Sequence, residues 1–409
     1  MAQQSPSSTH HMHQSSLESI IEFQTESPLS PGARDRARRR FYHIADHFEA
    51  AAEDRDSSSD NDGNIGGGGG GGGSSPRYNR SRLIRLTYDH ARSPLSQDNF
   101  LRAFFGSLEL SMDGEEALGE RIRAKFFGFV DYLFNNFFLP LKAFARKAPQ
   151  PSPAYHSAIQ RLQGGVRFAG TPERISALRS TCLIRDRYRC VVTRRFDRSE
   201  AVTRFESAGD DARADDSNLL DEEQPRTFKP LEVAYILPHS LTRLGRSEEL
   251  DPSKQAALAI LNMFDYRVGH LIEGVDIDRP RNALTLTYNI HGLFSNFHIY
   301  FEPVLGVEPH TYRIESFLRL TFIGGLLPIT RTLFLIDSYT IDLPSPRLLA
   351  IHRAITRILH LSAASAYIDK ILRDIEDAGE QGARADGSTD LGRLVHLGLW
   401  LNVVDAYPC

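Results

Sequence analysis

Cysteine is scarce: Cys182, Cys190 and Cys409 are the three among 409 residues. That is too few for a disulfide framework, and it excludes a four-cysteine zinc site built from this chain alone. An excess of charge is also missing. Lys plus Arg number 48 against 52 Asp plus Glu, a net charge of −4, so any affinity for a polyanion must come from a local patch. The first thirty residues have neither a basic start nor an apolar run, which argues against a signal peptide. The expectation is an intracellular protein, nuclear or cytoplasmic and not secreted. The aromatic stripe Phe126, Phe127, Val130, Leu133, Phe134 and Phe137 is broken by Asp131, Asn135, Asn136 and Pro140. A bilayer span needs about 20 predominantly apolar residues, so this stripe predicts a buried helix and no membrane segment. What the chain does have is 41% hydrophobic and 10% aromatic residues, enough for a sizeable core.

Residues 1–95 are expected to be mostly disordered. Ser, Pro, Gln and His dominate the start, and eight consecutive glycines run from Gly66 to Gly73, a composition that buries too little apolar area to order itself. One island, near 34–54, predicts a short helix, with Phe41, Ile44 and Phe48 at helical spacing. A helical region is expected over 96–157, opened by a cap at Ser96 and carrying Phe100, Leu101, Phe104 and Phe105. From 171 to 320 the texture turns to mixed helix and strand: a helix near Pro172, then LEVAYILP, NALTLTYNIHGLF and alternating Ile299, Phe301, Tyr312 and Ile314. An acidic insert, 206–223, holds eight acids against one Arg213 and predicts a flexible segment. Residues 344–375 predict an amphipathic helix with Leu348, Leu349, His352, Ile355, Ile358 and Leu359 in phase, followed by a tail over 376–409.

The blocks CLIRDRYRCVVTRRFD, LEVAYILPHSL and NALTLTYNIHGLFSNFHIYFEP, followed by the PSPRLLAIHRAITRILHLSAASAYID helix, resemble the fungal HNH nuclease domain-containing proteins. The resemblance spans roughly residues 95–375 and rests on the order and spacing of the blocks. It implies an α+β fold with a ββα-metal (His-Me finger) core, strands added to it and helical segments flanking it. It also implies DNA as the partner and one divalent cation as cofactor, Mg²⁺ first, with Mn²⁺ or Zn²⁺ as alternatives. In such a site a histidine at the end of the first strand is the general base, an asparagine fixes the loop and a helix histidine ligates the metal. By position these roles fall on Tyr235, Asn282 and His291.

Tyr235 departs from the pattern, which reads Ala-His-Ile where this chain reads Ala234-Tyr235-Ile236. A phenol with an ordinary pKa of about 10 stays protonated at neutral pH and is a poor acceptor for a proton from water. His239 is the substitute nearest in sequence. Along a strand, four residues displace a side chain by roughly 13 Å, so His239 replaces the base only if Pro238 turns the chain back. The expectation is therefore an HNH-type endonuclease with impaired catalysis, or else an inactive DNA-binding or protein-interaction module of the same fold. Plainer readings stand beside each residue: a packed core histidine at His291 and a turn residue at Asn282.

Charge supports a nucleic-acid partner locally. From Arg174 to Arg204 there are nine arginines against Asp186, Asp197 and Glu200, a balance of +6. Arg185, Arg187, Arg189, Arg194 and Arg195 are the expected phosphate contacts; the alternative is a solvated helix face with partial acid pairing.

Overall fold

The structure is a computed structural model and describes residues 27–59, 78–145, 172–222, 228–238, 241, 252–333 and 341–381. In chain order the elements are α1 (Pro31–Ser59), α2 (Arg80–Asp89), α3 (Pro94–Leu108), α4 (Glu120–Leu133), α5 (Leu139–Ala145), α6 (Pro172–Arg185), α7 (Arg198–Ala208) and β1 (Leu231–Tyr235). There follow α8 (Pro252–Phe264), β2 (Ala283–Thr287), α9 (Tyr288–Ser295), β3 (Ile299–Pro303), β4 (Thr311–Ser316), β5 (Ile329–Thr332), α10 (Pro346–Leu361) and α11 (Ala364–Gln381). The fold is α+β, mostly helical, with a two-stranded sheet β1-β2 and a three-stranded sheet β3-β4-β5, both antiparallel. The chain divides into two compact units: 1–140, 252–267 and 357–409 in one, 141–251 and 268–356 in the other.

The first unit is helical and its core is aromatic. Phe41 and Phe48 of α1 meet Tyr88, Phe100, Phe104 and Phe126 at ring-centroid distances of 5.0–5.4 Å, with Phe41 edge to face on Phe100 and Phe104, an arrangement that ring quadrupoles favour. Helix α1 covers the island of Phe41, Ile44 and Phe48. Helix α2, by contrast, lies within residues expected to be disordered; its Leu83, Ile84 and Tyr88 are buried, which supplies the apolar area that the Gly- and Ser-rich neighbouring sequence lacks. Buried Asp98 accepts from the Arg34 guanidinium at 2.5 and 2.8 Å and from the Leu29 amide at 2.9 Å. Among the described residues no helix is long and apolar enough to cross a membrane.

The second unit carries the two sheets. The acidic insert, expected to be flexible, is packed over 209–222: Ala212, Ala214 and Leu220 bury against Phe196 and Ala201. Arg204 binds Glu200 at 2.9 Å and Asp215 at 2.7 Å. Three small apolar anchors and paired acids thus order a segment whose mean composition is polar. The other parts of the expected domain plan, 1–26, 60–77, 146–171 and 382–409, lie outside the described residues.

His352, in α10, is fully enclosed. Its ring stacks on Phe294 at 3.9 Å and on Phe297 at 4.8 Å, and its Nε2 is 3.1 Å from the Phe294 carbonyl. Burial pushes this imidazole down to about 3. The unfolded chain therefore takes up a proton below about pH 6.5 that the folded chain refuses, and stability falls with falling pH by ~1.4 kcal/mol per unit until the folded pKa is reached. Chemical denaturation at pH 7 and 5.5 is expected to show the natural chain losing about 1 kcal/mol more than His352→Gln.

Candidate active site

Strands β1 and β2 pair antiparallel with Glu232 opposite Leu286, Val233 opposite Thr285 and Tyr235 opposite Ala283. Directly opposed residues share a face and neighbours along a strand alternate. Val233, Tyr235 and Ala283 therefore lie on one face, where they pack with Leu178 and Cys182 of α6. Glu232 lies on the other, and α9 covers it: the Glu232 carboxylate is 2.6 Å from Nδ1 of His291. Glu232 and Tyr235 are three positions apart on β1, so the alternation of faces separates the helix histidine from the position expected to hold the base.

Tyr235 is 8% exposed and its hydroxyl donates to Asp278 at 2.9 Å. Burial first, and then the charge of Asp278, raise its pKa well above the ordinary tyrosine value. Such a phenol holds its proton and is unable to act as a base at neutral pH. Asp278 in turn lies 3.4 Å from the Arg174 guanidinium. Tyr235 belongs to this structural chain of contacts.

Asn282 is fully buried and works as a backbone clamp. Its side-chain oxygen accepts from the Leu237 amide at 3.0 Å, and its amide nitrogen donates to the Leu237 carbonyl at 2.9 Å and the Ile277 carbonyl at 3.0 Å. Those bonds fix the exit of β1 to the entry of β2. His239 lies outside the described residues.

The arginines divide. Arg185 is a correction: it is fully buried, with Nε and Nη2 on Asp186 at 2.9 and 2.8 Å and further bonds to the carbonyls of Pro280 at 2.6 Å and Ala283 at 2.9 Å. No phosphate reaches a guanidinium enclosed in this way. Arg189 is also buried, 3.4 Å from Asp216 and over the Phe196 ring. Arg187, Arg194 and Arg195 keep partial exposure. Cys182 is a buried thiol pushed up to about 12 by burial, which makes it a packing group.

Glu232 was missed in the sequence because one acid inside a strand reads as a solvent-facing residue; the sole signal was its place among apolar neighbours in LEVAY. With Nδ1 engaged by Glu232, a cation would be held through Nε2 of His291, and a carboxylate on the other ring nitrogen is the usual partner of a metal-binding histidine. Among the described residues no group of three or more His, Cys, Asp or Glu converges as a metal site. A single imidazole nitrogen is a donor for a divalent cation whose remaining positions would go to water and phosphate oxygens, and it suits Zn²⁺ or Mn²⁺ better than Mg²⁺. It does not fit a closed zinc site of four protein ligands.

Removing the clamp leaves Leu237 and Ile277 groups buried without partners. Asn282→Ala is expected to cost roughly 2–4 kcal/mol in denaturant unfolding.

Against known proteins, residues 190–302 match the model of a family described as HNH endonuclease. That stretch contains β1, β2 and α9. No curated protein and no solved structure matches the chain.

Proposed function

We propose that the chain, whose residues 190–302 are an HNH endonuclease domain, binds DNA and hydrolyses its phosphodiesters slowly, with His291 as the metal-binding residue and no base at position 235. HNH endonucleases act on nucleic acids and generally use a divalent metal. The observation that carries this reading is the 2.6 Å contact between Glu232 and His291 across the hairpin and helix. Any buried imidazole N–H needs an acceptor; a carboxylate in that place also fixes tautomer and ring direction, the support that a metal-ligating histidine generally has.

The cation, when bound, would offset the charge that builds on the phosphate and on the leaving 3′ oxygen. Glu232 accepts the Nδ1 proton of His291 and aims Nε2. Asn282 holds the strand ends at Leu237 and Ile277, so the hairpin under the helix stays in register. Tyr235 donates to Asp278 and takes no proton, leaving water as the acceptor during attack; general-base catalysis typically contributes 10²–10⁴-fold, and that much is forfeited. A second reading, a DNA-binding module with no cleavage, draws on the same observation at Tyr235.

Nicking of supercoiled plasmid with Mg²⁺ or Mn²⁺, against a chelator control, separates the two. The expected result is slow, metal-dependent nicking that His291→Ala abolishes and Tyr235→Phe leaves within about twofold, since Tyr235 carries no chemical step. Calorimetric titration with Mn²⁺ is expected to show Glu232→Gln weakening the metal by roughly 10–100-fold. Metal binding that survives His291→Ala would sink the assignment, and retained DNA binding with no nicking at all would favour the module.

A further inference from the structure

Helix α9 turns one side outward beside the imidazole that Glu232 aims. His291 is 7% exposed, whereas Tyr288, three residues earlier, is 69% exposed. Residues three and four apart on a helix are neighbours, so the open ring stands about 4.5 Å of helix axis from the imidazole. Among the described residues the Tyr288 ring meets no other ring and its hydroxyl has no partner. Four residues past Tyr288, on the same open face, lies exposed Gly292. A β-carbon there would meet nothing within 4 Å. Packing therefore does not ask for glycine, and inside a helix glycine costs stability relative to alanine. A missing side chain next to an open ring leaves a flat strip on which another molecule can lie against the helix backbone.

Positive charge stands at the same end of the hairpin. Leu231 pairs with Thr287, so Lys229 lies two residues before that pair and Tyr288 directly after it. The Arg198 amide donates to the Lys229 carbonyl and the Lys229 amide to the Phe196 carbonyl, both at 3.1 Å, which pins the start of α7 to this strand end. Lys229 and Arg198 are exposed, and among the described residues neither side chain has a hydrogen-bond or ion-pair partner. An open aromatic ring with cations near it is the combination by which proteins hold unpaired nucleotides: bases stack on the ring and phosphates meet the cations. A continuous duplex keeps its base faces stacked on one another and offers the ring nothing to cover.

We propose that Tyr288 and Gly292 seat an unpaired nucleotide base beside His291, that Lys229 and Arg198 hold its flanking phosphates, and that the chain therefore prefers DNA with an unpaired segment to continuous duplex. The identity of the strand as DNA rests on the nuclease reading above; the stacking surface does not.

Binding of the full chain to a labelled single strand and to the blunt duplex of the same sequence, both in a chelator, tests this without cleavage. The natural chain is expected to bind the single strand more tightly. Tyr288→Ala is expected to weaken the single strand roughly tenfold and the duplex by less than about twofold, and Tyr288→Phe, which keeps the ring, to retain the affinity. Lys229→Gln and Arg198→Gln are each expected to lower the slope of log K against log salt for the single strand by about 0.7. Gly292→Ala is expected to raise the Tm by about 1–2 °C and yet weaken the single strand, opposite directions that a purely structural glycine would not give.

Equal affinity for the two forms, or single-strand binding unmoved by Tyr288→Ala, overturns the stacking surface; metal-dependent plasmid nicking in the same chain then leaves the nuclease reading standing. A Tyr288-dependent preference in a chain that never nicks DNA upholds the surface and removes the cleavage reading alone. No binding to either form overturns both.

Discussion

Side chains of an extended strand alternate between its faces, and in this protein that alternation decides what can meet the helix histidine. Glu232 and Tyr235 are three positions apart on β1, an odd number, so one points to α9 and the other to α6. The carboxylate reaches the imidazole. The phenol is left among Leu178, Cys182 and Val233, with Asp278 as its acceptor. A one-residue slip in pairing would exchange these surroundings, placing the carboxylate in an apolar cluster and removing the partner of His291. The clamp at Asn282 opposes the slip, because two of its bonds tie the entry of β2 to Leu237 just past β1.

The hairpin and helix were legible because their signals are local. Two short apolar runs, LEVAY and ALTLT, with His291 nine positions after Asn282, need no knowledge of the rest of the chain. The surroundings of Tyr235 were not legible, since they depend on Asp278 and Cys182, which are far away in sequence. The same holds for Arg185. In the sequence it is one more cation in a basic run; in the structure its donors are spent on Asp186 and on carbonyls about a hundred residues further on. Composition also misled at the insert, where Ala212, Ala214 and Leu220 are too small and too few to register in an average, yet suffice to seat it.

Charge in the second unit is consequently sorted by depth. Arg185 and Arg189 are enclosed and neutralised or stacked, and Arg204 is held by Glu200 and Asp215. A positive count along the sequence overstates what a polyanion meets. Among the expected phosphate contacts, partial exposure is kept by a smaller set, Arg187, Arg194 and Arg195. Position in the fold, more than number, is then the measure of the positive charge this unit presents.

The Asn282 clamp has a consequence for chain length. Leu237 and Asn282 are 45 positions apart yet touch, so everything between them is an excursion that departs from and returns to a single point. Along the way the chain lends α8 to the other unit. Closing such a detour costs only about 0.6 kcal/mol more for each doubling of its length. Its early part can therefore change length at little cost to the strands, whereas Ile277, Asp278 and Pro280 at its end are tied to Asn282, Tyr235 and Arg185 and have no such latitude.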